Sequence, residues 1–340
     1  MAAEPIDDPS FRIGLIGTGY IGTTVGGEFH RHSRATVAAV SDIDDEARAE
    51  AGDLFSVPSA SRYADYKAMM DGEALDGVLV GTPHTLHYEQ ISEALDRGLH
   101  VLCDKPLTTD LDRARELTER AETGDQTLMV GYQRHLNPAF VAARERWLGS
   151  DRSPRWITAE VTQNWVDRFE ETWRMNPELN GGGYLWDTGS HLLDAVLWSS
   201  GLTPTAVSAD MDFVDDDRRV DSRARLTIRF DGGATATVST FGDAPCTREH
   251  IHMWDDDGAV YLEGREWESR ELVTIDGEST ERRPYIDNRA QRTKAEAFVT
   301  AVRTGEDPPA TARDGLRVTA VTEAAYEAAR SGDWVEVDLD

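Results

Sequence analysis

"FRIGLIGTGYIG", Phe11 to Gly22, decides the fold. Its first seven residues are an apolar run that reads as a strand, and the glycines at 17, 19 and 22 follow in the spacing G-x-G-x-x-G. Glycines alone carry little, because they are common in turns; a strand before them and a helix after them carry much more. Gly17 permits a tight turn, Gly19 lets backbone approach a pyrophosphate, and Gly22 allows close packing of helix on strand. The helix that opens at Tyr20 and Ile21 offers unpaired N–H groups to an anion. Asp42 stands twenty residues beyond Gly22, at the end of the second apolar run "TVAAVS" (36–41), where it can accept hydrogen bonds from ribose hydroxyls. The expectation is a dinucleotide site, with a ligand-free strand-to-helix turn as the alternative. A carboxylate at position 42 repels a 2′-phosphate, which favours NAD; Arg48 and the short Ser41 nearby keep NADP possible.

The same rhythm continues outward. "DGVLVG" (76–81), "HVLC" (100–103) and "TLMVG" (127–131) read as further strands, and "DDEARAEAG", "LHYEQISEALDRG" and "DLDRARELTERAE" as helices between them. In the last of these Asp110 is a candidate N-cap, and Leu111, Ala114, Leu117 and Ala121 line one face. Strict alternation of strand and helix predicts an α/β Rossmann domain over 1–131, a doubly wound parallel sheet with right-handed crossovers.

From residue 132 the pattern changes. A helix at 138–148, the strand "RWITAEVTQNW", a glycine-rich loop and the helix "DTGSHLLDAVLWSSG" lead into successive strands: "TAVSADMDFV", "SRARLTIRF", "GATATVSTF", "REHIHMW", "GAVYLEG" and "ELVTID". Strands without intervening helices predict an α+β domain over 132–340 with a large, mostly antiparallel open sheet. Helices at 290–304 and 313–331 close the chain, free to pack back on the first domain.

Composition narrows the function. Sixty-three Asp and Glu against 35 Lys and Arg give a net charge of −28, which excludes general affinity for nucleic acid or anionic membranes. Of the basic residues only Lys67, Lys105 and Lys294 are lysines; the rest are arginine. Scattered acidity with scarce lysine is the pattern of a protein from concentrated salt, where self-repulsion is screened. "MAAEPIDDPSF" lacks the basic and apolar regions of a leader, and no run approaches the roughly 18 apolar residues of a membrane helix, so a cytoplasmic location is expected. Cys103 and Cys246 cannot form a disulfide framework and read as small buried hydrophobes.

Three segments carry the chemistry: "GTPHTLHYEQ" (81–90), "CDKP" (103–106) and "GGGYLWDTGSHLLD" (181–194). The first two sit beyond the C-terminal ends of parallel strands, where open sheets bind ligands. Asp187 and His191, four apart on a helix, share a face. Oxidising a secondary alcohol requires a base for the hydroxyl proton while hydride leaves the same carbon. His191 suits that task because imidazole titrates near neutrality. Lys105 can stabilise the developing alkoxide, and Asp187 can orient the histidine or bind a neighbouring hydroxyl. The bland alternatives are a helix cap for Asp187, an ordinary half-buried histidine for His191 and a surface charge for Lys105. His250 and His252 share a strand face without further ligands at metal spacing, so no metal is expected.

This set resembles the Gfo/Idh/MocA oxidoreductase family, over nearly the whole chain. The family's G-G-G followed by D-x-G-x-H-x-x-D is complete here, whereas its E-K-P reads Asp104-Lys105-Pro106 and its T-P-N reads Thr82-Pro83-His84. The resemblance implies cofactor contacts from Thr82, His84, His87, Asp104 and Lys105, and a sugar, inositol or related polyol as substrate. It also implies a homodimer or homotetramer. Aromatic faces suit the C–H faces of sugars, which makes Tyr132, Trp165, Trp173 and Trp186, with Arg134, candidate substrate lining beside Lys105, Asp187 and His191; core packing is the favoured reading for at least half of the aromatics. The competing readings are a keto-sugar or nucleotide-sugar reductase and a non-catalytic nucleotide- or sugar-binding regulator.

Overall fold

In β1 (Phe11–Ile16) only Arg12 is exposed, the mark of a strand covered on both faces. The computed structural model describes residues 10–268 and 270–339, so the stretch inspected for a leader lies, except for Ser10 and Phe11, outside the described residues. β1 pairs in parallel with β2 (Ala35–Ser41) and with β4 (Gly77–Val80). With β3 (Arg62–Tyr63), β5 (His100–Cys103) and β6 (Leu128–Val130) they form a six-stranded parallel sheet in the order β3-β2-β1-β4-β5-β6. Helices α1 (Tyr20–Arg31), α2 (Asp45–Leu54), α3 (Tyr66–Gly72), α4 (His87–Asp96) and α5 (Leu111–Thr123) make the crossovers. Asp110 caps α5, accepting from the Arg113 N–H, and Ala114 and Leu117 are buried as the spacing predicts. The strand order reverses between β1 and β4, which opens a crevice above their C-terminal ends.

The second sheet has nine strands in the order β14-β13-β12-β11-β7-β10-β9-β8-β15. They are β7 (Trp156–Asn164), β8 (Pro204–Phe213), β9 (Asp221–Phe230), β10 (Thr235–Phe241), β11 (Asp243–Asp255), β12 (Gly258–Arg265), β13 (Glu271–Asp276), β14 (Glu281–Arg282) and β15 (Val335–Glu336). β7 and β10 are parallel and every other neighbour is antiparallel. In β10 Ala236, Val238 and Thr240 point inward while Thr235 and Thr237 stay exposed, so the sheet has one covered face. Among the helices of this half, α6 (Pro138–Glu145), α7 (Trp165–Phe169) and α8 (Pro177–Asn180) are short. The central one, α9 (Ser190–Ser200), buries Leu192, Leu193, Val196 and Leu197. It is entered through a π-turn, Leu185–Gly189, where the sequence predicts plain α-helix from Asp187.

The chain then returns to the first sheet. α10 (Lys294–Thr304) and α11 (Ala312–Ser331) each begin with a capping box, Thr293 with Glu296 and Thr311 with Asp314. Phe298 of α10 meets Phe11 and Phe29 edge-on at 5.8 and 6.2 Å. Truncating this fully buried ring costs roughly 3–5 kcal/mol. Thr319 of α11 donates to the Thr108 carbonyl, three residues beyond Lys105. Two expectations need correction. Cys246 is exposed, because it lies in the irregular start of β11 between Asp243 and Arg248. The helix expected from 290 starts at Lys294, where the Thr293 cap sets its first turn.

Candidate active site

The crevice between β1 and β4 is a cleft of about 440 Å³ whose lining includes Gly17, Gly19, Tyr20, Ile21, Asp42, Thr82, His84 and Asp104. Its floor fits a dinucleotide. Gly17 has φ +83°, and a Cβ on Gly22 would come within 2.0 Å of the Gly17 carbonyl oxygen. A Cβ on Gly19 meets nothing within 4 Å, so packing does not demand glycine there and the space beside its backbone is open to a ligand. α1 has no side-chain cap and no acidic residue in its first turn, which leaves its N–H groups and dipole available to an anion. Asp42 is held in place: its Oδ2 accepts from the Thr18 N–H at 2.7 Å and hydroxyl at 3.0 Å, and its Oδ1 from the Asp44 N–H at 3.0 Å. Arg48 donates to the Asp42 carbonyl and to Asp45, so its guanidinium is already engaged.

Not every expected cofactor contact reaches the cleft. The ring nitrogens of His87 lie 2.8 and 2.9 Å from the Pro106 and Thr82 carbonyl oxygens, and the residue is fully buried; it braces the two loops instead. His84 does reach it, with Nδ1 3.1 Å from the Asn180 carbonyl oxygen and Trp173 edge-on at 4.9 Å. Burial, then the charge of Lys105, pushes the His84 pKa well down and keeps the ring neutral. Asp104 lies 3.5 Å from Lys294, the first residue of α10, which gives that lysine a partner just beyond β5.

Beyond Asp104 the chain places Lys105 against Asp187. Lys105 Nζ donates to Asp187 Oδ1 at 2.8 Å and to the Asp187 carbonyl at 2.9 Å. The other carboxylate oxygen accepts from Trp165 Nε1 at 2.7 Å and Arg174 Nε at 2.9 Å. Burial opposes charge on Asp187, yet Lys105, Arg174 and His84 hold its pKa far below the usual carboxylate range. Asp187 is therefore a buried counter-ion and not a helix cap. An ammonium has three donors, so Lys105 keeps one for a ligand oxygen.

His191 is half-buried at the start of α9, and its Nδ1 has no hydrogen-bond partner among the described residues. Burial, then the charges of Lys105, Arg134 and Lys294, drives its pKa well below the ordinary imidazole value. At neutral pH it is an uncharged base. Tyr132 meets its ring edge-on at 6.3 Å, but Tyr132 is itself almost wholly buried. Arg134 is equally buried, with its guanidinium on Glu249. Trp165 is spent on Asp187, and Trp186 stacks on Tyr326 at 6.4 Å. Of the four candidate aromatics, only Trp173 lines the cleft.

The chain was compared with known proteins. Residues 11–132 match the model of the Gfo/Idh/MocA oxidoreductase family with NAD-binding Rossmann fold, and residues 153–261 match the Gfo/Idh/MocA C-terminal domain. The chain belongs to the Gfo/Idh/MocA family. Its relatives include a D-xylose 1-dehydrogenase (NADP(+)) of Haloferax volcanii, 30% identical over 96% of this chain and 99% of the relative. An inositol 2-dehydrogenase of an Arthrobacter species is 26% identical over 97% of each. The fold is shared with a crystal structure of aldose-aldose oxidoreductase from Caulobacter crescentus complexed with glycerol, at a TM-score of 0.83 and 24% identity over 96% of this chain and 99% of that one.

Several supports of the site in this Gfo/Idh/MocA chain carry no mark of their role in its sequence. Arg174 sits in a single 3-10 turn, Trp173–Met175, too short for any periodicity, and nothing in its spacing marks it as the second cation on Asp187. Asp194, the last residue of the D-x-G-x-H-x-x-D motif, lies 2.9 Å from Nε2 of buried His135, whose Nδ1 lies 2.6 Å from the Pro309 carbonyl oxygen. Burial opposes charge on His135, but Asp194 raises its pKa. Asp221 accepts from the Leu185 N–H at 2.9 Å and from the Tyr326 hydroxyl, pinning the glycine-rich loop that leads to Asp187.

Proposed function

We propose that this oxidoreductase removes hydride from a hydroxyl-bearing carbon of a sugar or related polyol, with Lys105, Asp187 and His191 as the catalytic group. A bound nicotinamide supplies the acceptor for that hydride. The observation that carries the reading is the pairing of a charged lysine, fixed on Asp187, with a neutral histidine whose Nδ1 is unpartnered. Lys105 donates its remaining N–H to the reacting oxygen and stabilises the charge that grows there as the proton departs. The His191 imidazole takes that proton. Asp187, anchored by Trp165 and Arg174, keeps the ammonium aimed. In the opposite direction the histidine returns the proton and a keto-sugar is reduced.

The names of the relatives support an aldose or cyclitol as substrate. NAD is the preferred cofactor in this reading, because Asp42 keeps its carboxylate in the crevice and Arg48 is committed to Asp42 and Asp45. The relative from Haloferax volcanii is named for NADP(+), so both cofactors belong in the test. The test follows absorbance of reduced cofactor in concentrated salt with each nucleotide, across D-xylose, other aldoses and myo-inositol. Turnover of a panel member supports the reading; tight nucleotide binding without any turnover supports a binding protein instead.

A further inference from the structure

Trp267 lies in the turn between β12 and β13 and is 41% exposed, yet its ring is 5.7 Å from that of His191 at an interplanar angle of 50°. Exposure alone does not set it apart, since Trp334 is equally exposed and Trp156 more so; what does is its place, half in solvent with its ring beside that of His191. The described main chain beside it is held. Arg270, 4% exposed, donates from Nη1 to the Glu268 carbonyl and from Nη2 to the Glu266 carbonyl, clasping the main chain on both sides of Trp267. Its Nε donates to Glu249 Oε1 at 2.9 Å, and Arg134 donates to both oxygens of the same carboxylate. Arg134 also lies over the Trp267 ring, with Cζ 5.5 Å from its centroid.

A buried Arg-Glu-Arg cluster is a poor device for stability, since desolvation opposes it, but a good one for fixing geometry. Here it ties the Trp267 turn to β11 and to the segment preceding α6. Of the other aromatics near the chemistry, Trp165 is engaged by Asp187, Trp186 by Tyr326 and Tyr132 by burial, while Trp173 lines the dinucleotide cleft against His84.

We propose that Trp267 is the aromatic platform of the substrate site, stacking on the C–H face of the sugar ring whose hydroxyl meets His191. Arg134, placed among the substrate-lining candidates by sequence, is then a positioning residue that acts through Trp267 and Glu249. The inference rests on the sugar-dehydrogenase reading and names its specificity element.

The test compares Trp267→Ala and Trp267→Phe with the wild type, using the best aldose from the panel and each nucleotide. Loss of the platform raises KM for the ring sugar roughly tenfold or more in Trp267→Ala, with kcat within about threefold and nucleotide affinity unchanged. Trp267→Phe restores most of the lost affinity, which a merely structural role for the indole does not require. Sugar-induced change in tryptophan fluorescence, present in the wild type, is largely reduced in Trp267→Phe while binding persists, and the response of Trp173→Phe is the control for the tryptophan that lines the cleft. Wild-type turnover with an unchanged KM in Trp267→Ala overturns the platform and leaves the dehydrogenase reading standing. A Trp267-dependent fluorescence response without turnover overturns the dehydrogenase and keeps the platform. Absence of both overturns both. Should Trp267→Ala fail to fold, Trp267→Leu, which keeps apolar bulk without an aromatic face, takes its place with the same two outcomes.

Discussion

Lys105 Nζ and Asp187 Oδ1 are 2.8 Å apart, with both side chains less than a tenth exposed. This pair joins the end of the first sheet to the π-turn before α9, so the two halves of the chain meet in one buried ion pair. Removing the carboxylate leaves two cations, Lys105 and Arg174, without their counter-charge. Asp187→Ala is expected to lose about 3–5 kcal/mol of stability, read from denaturant unfolding in salt. Asp187→Asn retains hydrogen-bond acceptors and is expected to lose less.

With His191 as the proposed base, the pH dependence of oxidation is expected to follow its titration. The base acts only when neutral, and its pKa is pushed well below the ordinary imidazole value. The acid limb of kcat/KM for the sugar therefore falls below the pH range in which free histidine titrates, and His191→Ala abolishes that limb along with most of the rate. A wild-type limb at the pH of an unperturbed imidazole contradicts the environment described for this ring.

Asp221 gives a second pH prediction, in stability. Burial, opposed by hydrogen bonds from Tyr326 and Leu185, pushes its pKa up to about 6. A raised carboxylate pKa means that the folded state favours the proton. Its contribution is fully present below the unfolded value near 4 and is lost as pH rises through about 6. Measured against Asp221→Asn, the wild type is expected to lose roughly 2–3 kcal/mol of relative stability between pH 4 and 7, visible in paired thermal melts.

Cofactor choice is expected to turn on Asp42. Asp42→Ser removes the charge facing a 2′-phosphate and shifts the ratio of kcat/KM for NAD over NADP by roughly tenfold or more toward NADP. The same change removes the bond to the Thr18 N–H, so affinity for both nucleotides should weaken.

A net charge of −28 is expected to make the fold salt-dependent. Raising ionic strength to about 1 M shortens the screening length to about 3 Å, and the melting temperature should rise with it. The buried Lys105–Asp187 pair is shielded from solvent ions, so salt should act through overall stability rather than through this contact.

The strands of the first sheet were legible because burial on both faces demands continuous apolar runs, and the glycine loop because its spacing is set by the turn it makes. The two-residue strands β3, β14 and β15 were not, since two residues carry no period. Lys105, Asp187 and His191 stood out by type and by place. What surrounds them did not: Arg174 in a short 3-10 turn, Glu249 on β11, and Trp267 with Arg270 in the turn after β12 are far from the motifs in sequence, and only tertiary structure brings them to the same point. Which of the aromatics packs in the core was not legible for the same reason, because an aromatic near a motif reads alike whether it faces substrate or core; Trp165 and Trp186 fall on the core side, as favoured for at least half of them.

The central claim is that the Lys105 ammonium acts on the reacting oxygen. Its direct test is the turnover of Lys105→Met, which keeps much of the side-chain bulk and removes the charge, followed by absorbance of reduced cofactor alongside calorimetric nucleotide binding. A fall in kcat of roughly 10²–10³-fold with nucleotide affinity nearly intact is the result predicted. Turnover equal to that of the wild type contradicts it.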